Sequence, residues 1–159
     1  MLRLRDLVKR YGDAVVVDGV SLTVAPGERV VLLGGSGSGK TTTIKMVNRL
    51  LEPDGGRVEI DGTDAATVAP HELRRRIGYC FQQVGLLPHL TVGENVGITP
   101  RLLGWDRDRI AARIDELLTM VELEPATFRD RRPASLSGGQ QQRVGVARAL
   151  AAEPKIVLL

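Results

Sequence analysis

Leu2, Leu4 and Leu7 alternate with Arg3, Arg5 and Asp6, the period-two pattern of a strand with one buried face. A second strand is expected within Val15–Val24, broken near Asp18-Gly19, and Pro26-Gly27 then marks a turn. Arg29–Leu33 is a continuous aliphatic run bounded by turn residues, which predicts a fully buried strand. A glycine-rich loop follows. A helix is expected from Lys40 to Leu51, closed by Pro53-Asp54-Gly55-Gly56. Arg57–Ile60 reads as a strand ending at the Asp61-Gly62 turn, and Ile77–Phe81 as the next. From Leu87 to Ser135 the period lengthens. Thr91 and Glu94 have capping-box spacing, and Ile110, Ile114, Leu117, Leu118 and Val121 share one helical face. Ser137–Ala152 returns to helix and Lys155–Leu159 to strand. Buried strands alternating with helices predict an α/β fold. Residues 1–87 and 136–159 form its core, and 88–135 a helical subdomain inserted into it.

Composition changes little in this picture. The chain has 159 residues, enough for one domain or most of one. Aromatics make up only 3%, so the core rests on Val, Leu, Ile and Ala. The net charge of +3 is compatible with nucleic acid, an anionic membrane surface or a phosphate ligand, but it is spread along the chain. Arg74-Arg75-Arg76 is its one compact cluster. A single cysteine, Cys80, excludes an internal disulfide, fits a reducing compartment, and lies in an apolar run that suits a buried, inert thiol. No stretch approaches the roughly 18 apolar residues of a membrane helix. The chain stops on Ile156-Val157-Leu158-Leu159, an apolar strand, which reads as the break point of a longer protein.

The chemistry begins with Gly34-Gly35-Ser36-Gly37-Ser38-Gly39-Lys40-Thr41, which satisfies the phosphate-loop pattern. Glycines let backbone N–H groups turn inward and approach phosphate oxygens without Cβ clashes. The helix starting near Lys40 adds about half a positive charge at its N-terminus. Lys40 can reach β- and γ-phosphates, and the Thr41 hydroxyl can ligate Mg²⁺. Chance alone produces the pattern on the order of once in a hundred chains of this length. Its position between a buried strand and a helix strengthens it. By itself it says only that a nucleoside triphosphate is bound.

Leu136-Ser137-Gly138-Gly139-Gln140 narrows the reading. Ser137 is an N-cap with Gln140 at capping-box spacing. Two glycines in a first helical turn cost about 1 kcal/mol each relative to Ala, so their presence points to backbone that must lie close to a ligand. With the continuation Gln141-Gln142-Arg143-Val144, this segment resembles the signature motif of the ABC ATPases, and further matches in order extend the resemblance over essentially the whole chain.

That resemblance implies a P-loop NTPase core with a mixed sheet, an N-terminal antiparallel portion and the inserted helical subdomain. It implies ATP with Mg²⁺, held between two domains that face each other head to tail. Gly34, Gly35, Ser36, Gly37, Ser38, Gly39, Lys40, Thr41 and Thr42 would grip the phosphates of one nucleotide. Leu136, Ser137, Gly138, Gly139 and Gln140 would touch that of the partner. Tyr11 is similar to the aromatic that stacks on adenine. Gln82, with Gln83 as rival, is similar to the glutamine that touches Mg²⁺ and senses the γ-phosphate. Lys155–Leu159 resembles the Walker B strand, after which the family places a metal-holding Asp and a catalytic Glu, and later a His. None of these is in the chain, so no residue is assigned as base, and the chain alone is expected to bind nucleotide weakly, to lack turnover, and to be unstable or to associate.

The separation of Thr41 from Leu136 leaves no room for the long coiled coils of the chromosome-maintenance branch. Gln82–Asn95 resembles bacterial importer ATPases. Ile44–Leu50 with Glu52-Pro53, and Leu102-Leu103-Gly104-Trp105, are similar to importers of glycine betaine, choline, carnitine or proline. Gly35 departs from the Pro common there. Implied partners are a second copy, membrane-spanning permease subunits that dock near Gln82–Thr91 and, indirectly, a solute-binding protein, at the cytoplasmic face of the membrane and with no nucleic acid. Two alternatives stand beside this importer motor: a soluble ABC protein acting on ribosomes or nucleic acid, and a non-catalytic binding remnant.

Overall fold

The computed structural model describes residues 1–81 and 84–159, which divide into two compact units, 1–74 and 75–159.

The first unit is built on an antiparallel sheet of order β2-β1-β3-β4, from β1 (Leu2–Tyr11), β2 (Ala14–Val24), β3 (Gly55–Ile60) and β4 (Thr63–Asp64). Leu2, Leu4 and Leu7 are buried as their alternation requires. The spacing changes between Leu4 and Leu7, where Asp6 adopts a left-handed φ of 47°. Across the ladder, Leu7 faces Val20 and Lys9 faces Val17, so β2 carries one extra residue around Asp18-Gly19. The break expected there is therefore a bulge, and β2 runs through it unbroken. Asp61-Gly62 makes the β3–β4 hairpin turn with both residues at positive φ. Helix α1 (Lys40–Val47) is shorter than expected, because Asn48 caps it and Arg49 follows at φ 53°. Arg49 then donates to the carbonyls of Ala65, Ala66 and Val68, fastening the chain before the short helix α2 (Pro70–Arg75).

Arg29–Leu33 corrects the sequence reading. The run belongs to neither sheet, and Val31 and Leu33 are 75% and 88% exposed. Apolar content predicts that a segment is buried only when other strands pair with it, and among the described residues none does.

The second unit holds a parallel pair, β5 (Ile77–Tyr79) and β6 (Ile156–Leu158), and the helices α3 (Val92–Leu102), α4 (Arg107–Met120), α5 (Pro125–Phe128) and α6 (Gly138–Leu150). Its core is one cluster: Val92 and Val96 of α3, Ile110, Ile114, Leu117 and Leu118 of α4, then Leu123 and Leu136, and Val144 and Ala147 of α6 with Ala151. The predicted face of α4 is the face that packs. Cys80 is buried, as expected, and burial pushes its thiol pKa up. Among the described residues no helix is long and apolar enough to cross a membrane.

Two outcomes follow. Leu118 is fully buried in the helical cluster, so Leu118→Ala is expected to cost about 2–5 kcal/mol in denaturant unfolding. Stability is also expected to fall with acid. The Arg10 amide and Lys9 ammonium hold the Asp54 carboxyl below its ordinary pKa, and the Thr91 amide does the same for Glu94. Lowered native pKa values give stability that is complete above the unfolded value of about 4 and lost as pH drops through the native values. Melting temperatures measured from pH 6 down to 2.5 check this, and Asp54→Asn should flatten the curve.

Candidate functional site

In the first unit the glycine loop leads directly into α1. Gly37 and Gly39 both sit at φ 83°, and a Cβ on Gly39 would lie 2.6 Å from the Val16 carbonyl of β2. Only glycine fits there, and the constraint presses the loop's exit onto the β1–β2 hairpin. A Cβ on Gly35 would meet nothing within 4 Å, so a side chain there is not excluded by its neighbours. The first helical bond runs from the Thr43 amide to the Gly39 carbonyl, leaving the amides of Lys40, Thr41 and Thr42 without a partner one turn back. The Lys40 ammonium curls over the loop and donates to the Gly34 and Gly35 carbonyls at 2.7 Å each and to Ser38 Oγ at 3.0 Å. Thr43 is buried and donates to Gly39, anchoring the first turn from beneath. Thr41 is exposed. Tyr11 ends β1 on the same hairpin, 52% exposed, with the Lys9 ammonium 5.9 Å from its ring centre.

In the second unit Ser137 caps α6. Its Oγ accepts from the Gln140 amide at 3.3 Å, and its own amide donates to Gln140 Oε1 at 2.9 Å. The serine hydroxyl still has its proton to give. The first helical bond runs from Gln141 to Ser137, so the Gly138 and Gly139 amides remain open. Leu136 is buried beneath them, while Ser137, Gly138 and Gly139 are exposed. A Cβ added to either glycine would meet nothing within 4 Å. Among the described residues nothing therefore requires glycine at these two positions.

The first turns differ in charge as well. Those of α3 and α4 contain Glu94 and Asp108, whereas α1 and α6 have no acid there. A carboxylate in the first turn neutralises the positive end of a helix, and its absence leaves that end for an external anion.

Gln82, and its neighbour Gln83, lie outside the described residues. Every other candidate is placed: Gly34–Thr42 with Tyr11's hairpin in one unit, Leu136–Gln140 in the other. The sequence reading passed over the side chains that hold these segments in shape. Gln141 Nε2 donates to the Pro133 and Leu136 carbonyls and so shapes the approach to the α6 cap. Asn95, fully buried in α3, donates to the carbonyls of Leu87, Leu90 and Thr91 and accepts from the Leu87 amide. A polar residue on the apolar face of α3 was the available signal.

Residues 17–159 match the family model described as ABC transporter. The chain belongs to the ABC transporter family. It is 49% identical over its whole length to the glycine betaine/carnitine/choline transport ATP-binding protein of Bacillus subtilis. It spans about two fifths of the length of the curated relatives it matches, 42% of that one. Among solved structures it is similar to the dimeric bacterial ABC transporter cassette MJ0796, with TM-score 0.89 and 38% identity over 99% of this chain and 72% of that one. A post-hydrolysis structure of the same cassette bound to ADP and phosphate matches with TM-score 0.86 and 38% identity, over the same shares of the two chains.

Because their space is open, Gly138→Ala and Gly139→Ala are expected to leave the fold intact or to stabilise it, by up to about 1 kcal/mol each. Chemical denaturation of the variants beside the parent chain measures this. Marked destabilisation would mean that the glycines serve the fold itself.

Proposed function

We propose that the chain is the nucleotide-gripping part of an ATP-hydrolysing importer subunit, working as a head-to-tail pair. The observation that carries this reading is the pair of acid-free helix starts, one in each unit, each opening onto glycine backbone. Gly34–Gly39 with the Lys40, Thr41 and Thr42 amides would hold the β- and γ-phosphates of ATP, and the Lys40 ammonium would exchange its bonds to the loop for phosphate oxygens. Ser137, Gly138 and Gly139 would offer a hydroxyl proton and two amides to the nucleotide of the partner copy, with Leu136 and Gln140 fixing that turn. Glycines that cost helix stability and that no internal contact demands are accounted for by such an external ligand.

Tyr11 is exposed on the hairpin that abuts the loop, a position suited to stacking on adenine. Mg²⁺ would be held by the Thr41 hydroxyl and Gln82 together with phosphate oxygens, and would supply charge neutralisation at the transferring phosphate. A donor set of one hydroxyl and one amide oxygen fits an ion that keeps phosphate and water ligands. Within the cassette we assign 1–87 and 136–159 to the core and 88–135 to the helical subdomain, whose neighbourhood around Gln82–Thr91 would receive the membrane-spanning permease subunits. The intact gene product would then sit at the cytoplasmic face of the membrane, served indirectly by a solute-binding protein. The name of the Bacillus subtilis relative supports a quaternary-amine osmoprotectant as the solute and favours transport over the two alternatives.

The test uses the intact gene product with ATP and Mg²⁺. Phosphate release and ATP-driven self-association are expected together. Lys40→Ala should abolish nucleotide binding and both responses, while Ser137→Arg should keep nucleotide binding and lose association and turnover by at least about a hundredfold, the scale of one lost anion-stabilising donor. Turnover that survives Ser137→Arg would sink the shared-nucleotide arrangement.

A further inference from the structure

Arg148 lies in the last turn of α6 and is half-buried, yet among the described residues its guanidinium meets no carboxylate. It donates instead to two successive carbonyls, Nη2 to Val84 at 2.6 Å and Nη1 to Gly85 at 2.9 Å. Burial draws its pKa below the ordinary arginine value, the mark of a cation placed at some desolvation cost. Three residues earlier on the same face, Gly145 is buried. A Cβ there would come within 2.5 Å of Val84 Cγ1 and 3.3 Å of Cys80 Sγ, so the chain around Val84 rests directly on the helix backbone. A mid-helix glycine with a packing reason is what such an approach requires.

The far end of the same loop is fastened just as firmly. The Asn95 amide bonds Leu87 twice and Leu90 and Thr91 once each, tying the loop to the start of α3. Side chains from two helices thus satisfy backbone groups at both ends of the segment 84–91. Helices α3 and α6 are themselves joined through Val92, Val96, Val144 and Ala147. A loop whose polar backbone is bonded by buried side chains resists local opening and moves with the elements that hold it.

We propose that Arg148 is a positioning residue for coupling: it locks the segment 84–91 to the signature helix, so that a load on this segment displaces the Ser137–Gly139 amides. This rests on the reading that the segment receives a membrane-spanning subunit. Arg148 touches neither nucleotide nor metal in this arrangement, and its effect is transmitted through α6.

The experiment takes the intact gene product, alone and assembled with its membrane-spanning subunits in vesicles, as parent, Arg148→Gln and Arg148→Lys. Arg148→Gln is expected to keep the subunit's own ATP hydrolysis within about twofold but to lower solute uptake per ATP at least about tenfold, the scale of one hydrogen bond to a charged group. Arg148→Lys, which keeps one strong donor, should recover part of the uptake. Maleimide labelling of Cys80, read at that peptide by mass spectrometry, should speed up in Arg148→Gln, because Val84 and the Cys80 sulfur rest side by side on Gly145 of α6. Unchanged uptake per ATP, or unchanged Cys80 labelling, overturns the proposal. Equal loss of basal and coupled hydrolysis overturns it too, by making Arg148 part of the hydrolytic machinery. If Arg148→Gln does not fold, the Lys variant carries the same comparison. A parent subunit that shows no response to membrane-spanning partners would refute the importer reading instead, and the labelling result would still decide whether the lock exists.

Discussion

Backbone N–H groups in the first turn of a helix cannot bond within that helix, and the four longest helices meet this constraint in two different ways. At α3 the Thr91 hydroxyl and the Glu94 carboxylate close the turn, and Asp106 closes that of α4. The Arg131 and Arg129 carbonyls take the two remaining amides of α3, and both starts carry an acid against the positive end of the helix. At α1 no side chain caps the helix, and at α6 a neutral Ser–Gln pair satisfies part of the turn while two amides stay open. Of these four starts, the two without an acid in the first turn are α1 and α6.

Open amides at the surface would be bonded by water as readily as by phosphate unless they were held in a fixed array. The holding is done by neighbouring residues. Gly39 admits the Val16 carbonyl and fixes the exit of the first loop, while Thr43 ties the turn from below. Around α6 the long polar side chains bond to the backbone: Gln141 to the carbonyls before the cap and Arg143 to those of Val121 and Glu122. The apolar face of the helix is at the same time buried in the helical cluster. A helix so gripped along its length presents its N-terminus in a constant position, which an anion-binding array of preorganised donors needs.

Motifs of local origin were legible in the sequence. The Ser137 cap, the Thr91–Glu94 capping box and the Asp61-Gly62 turn all depend on residue types at short spacing, and each is present where expected. The stripe of α4 was equally legible, since the 3.6-residue period is a property of the segment itself. Features set by a neighbour were not. Asp18-Gly19 looked like a break and proved to be a bulge, because the partner strand β1 carries the ladder past it. Arg29–Leu33 looked like a central strand and is exposed, because strand formation belongs to a pairing and not to one segment.

From its residues alone the chain declared a glycine loop of phosphate-loop pattern, a serine-capped glycine turn at Ser137, and the family to which such a pair of motifs belongs, since those depend on glycine, hydroxyl and lysine in fixed order along a few covalent bonds. Tertiary structure alone decided which residues hold the segment 84–91 against the helices. Asn95 was an asparagine at a core position, Gly145 a weak point in a helix, and Arg148 one of many arginines. Each acquired its role only when folding brought a backbone carbonyl, amide or side chain from a distant part of the chain within a few ångströms, where a buried polar group must find a partner.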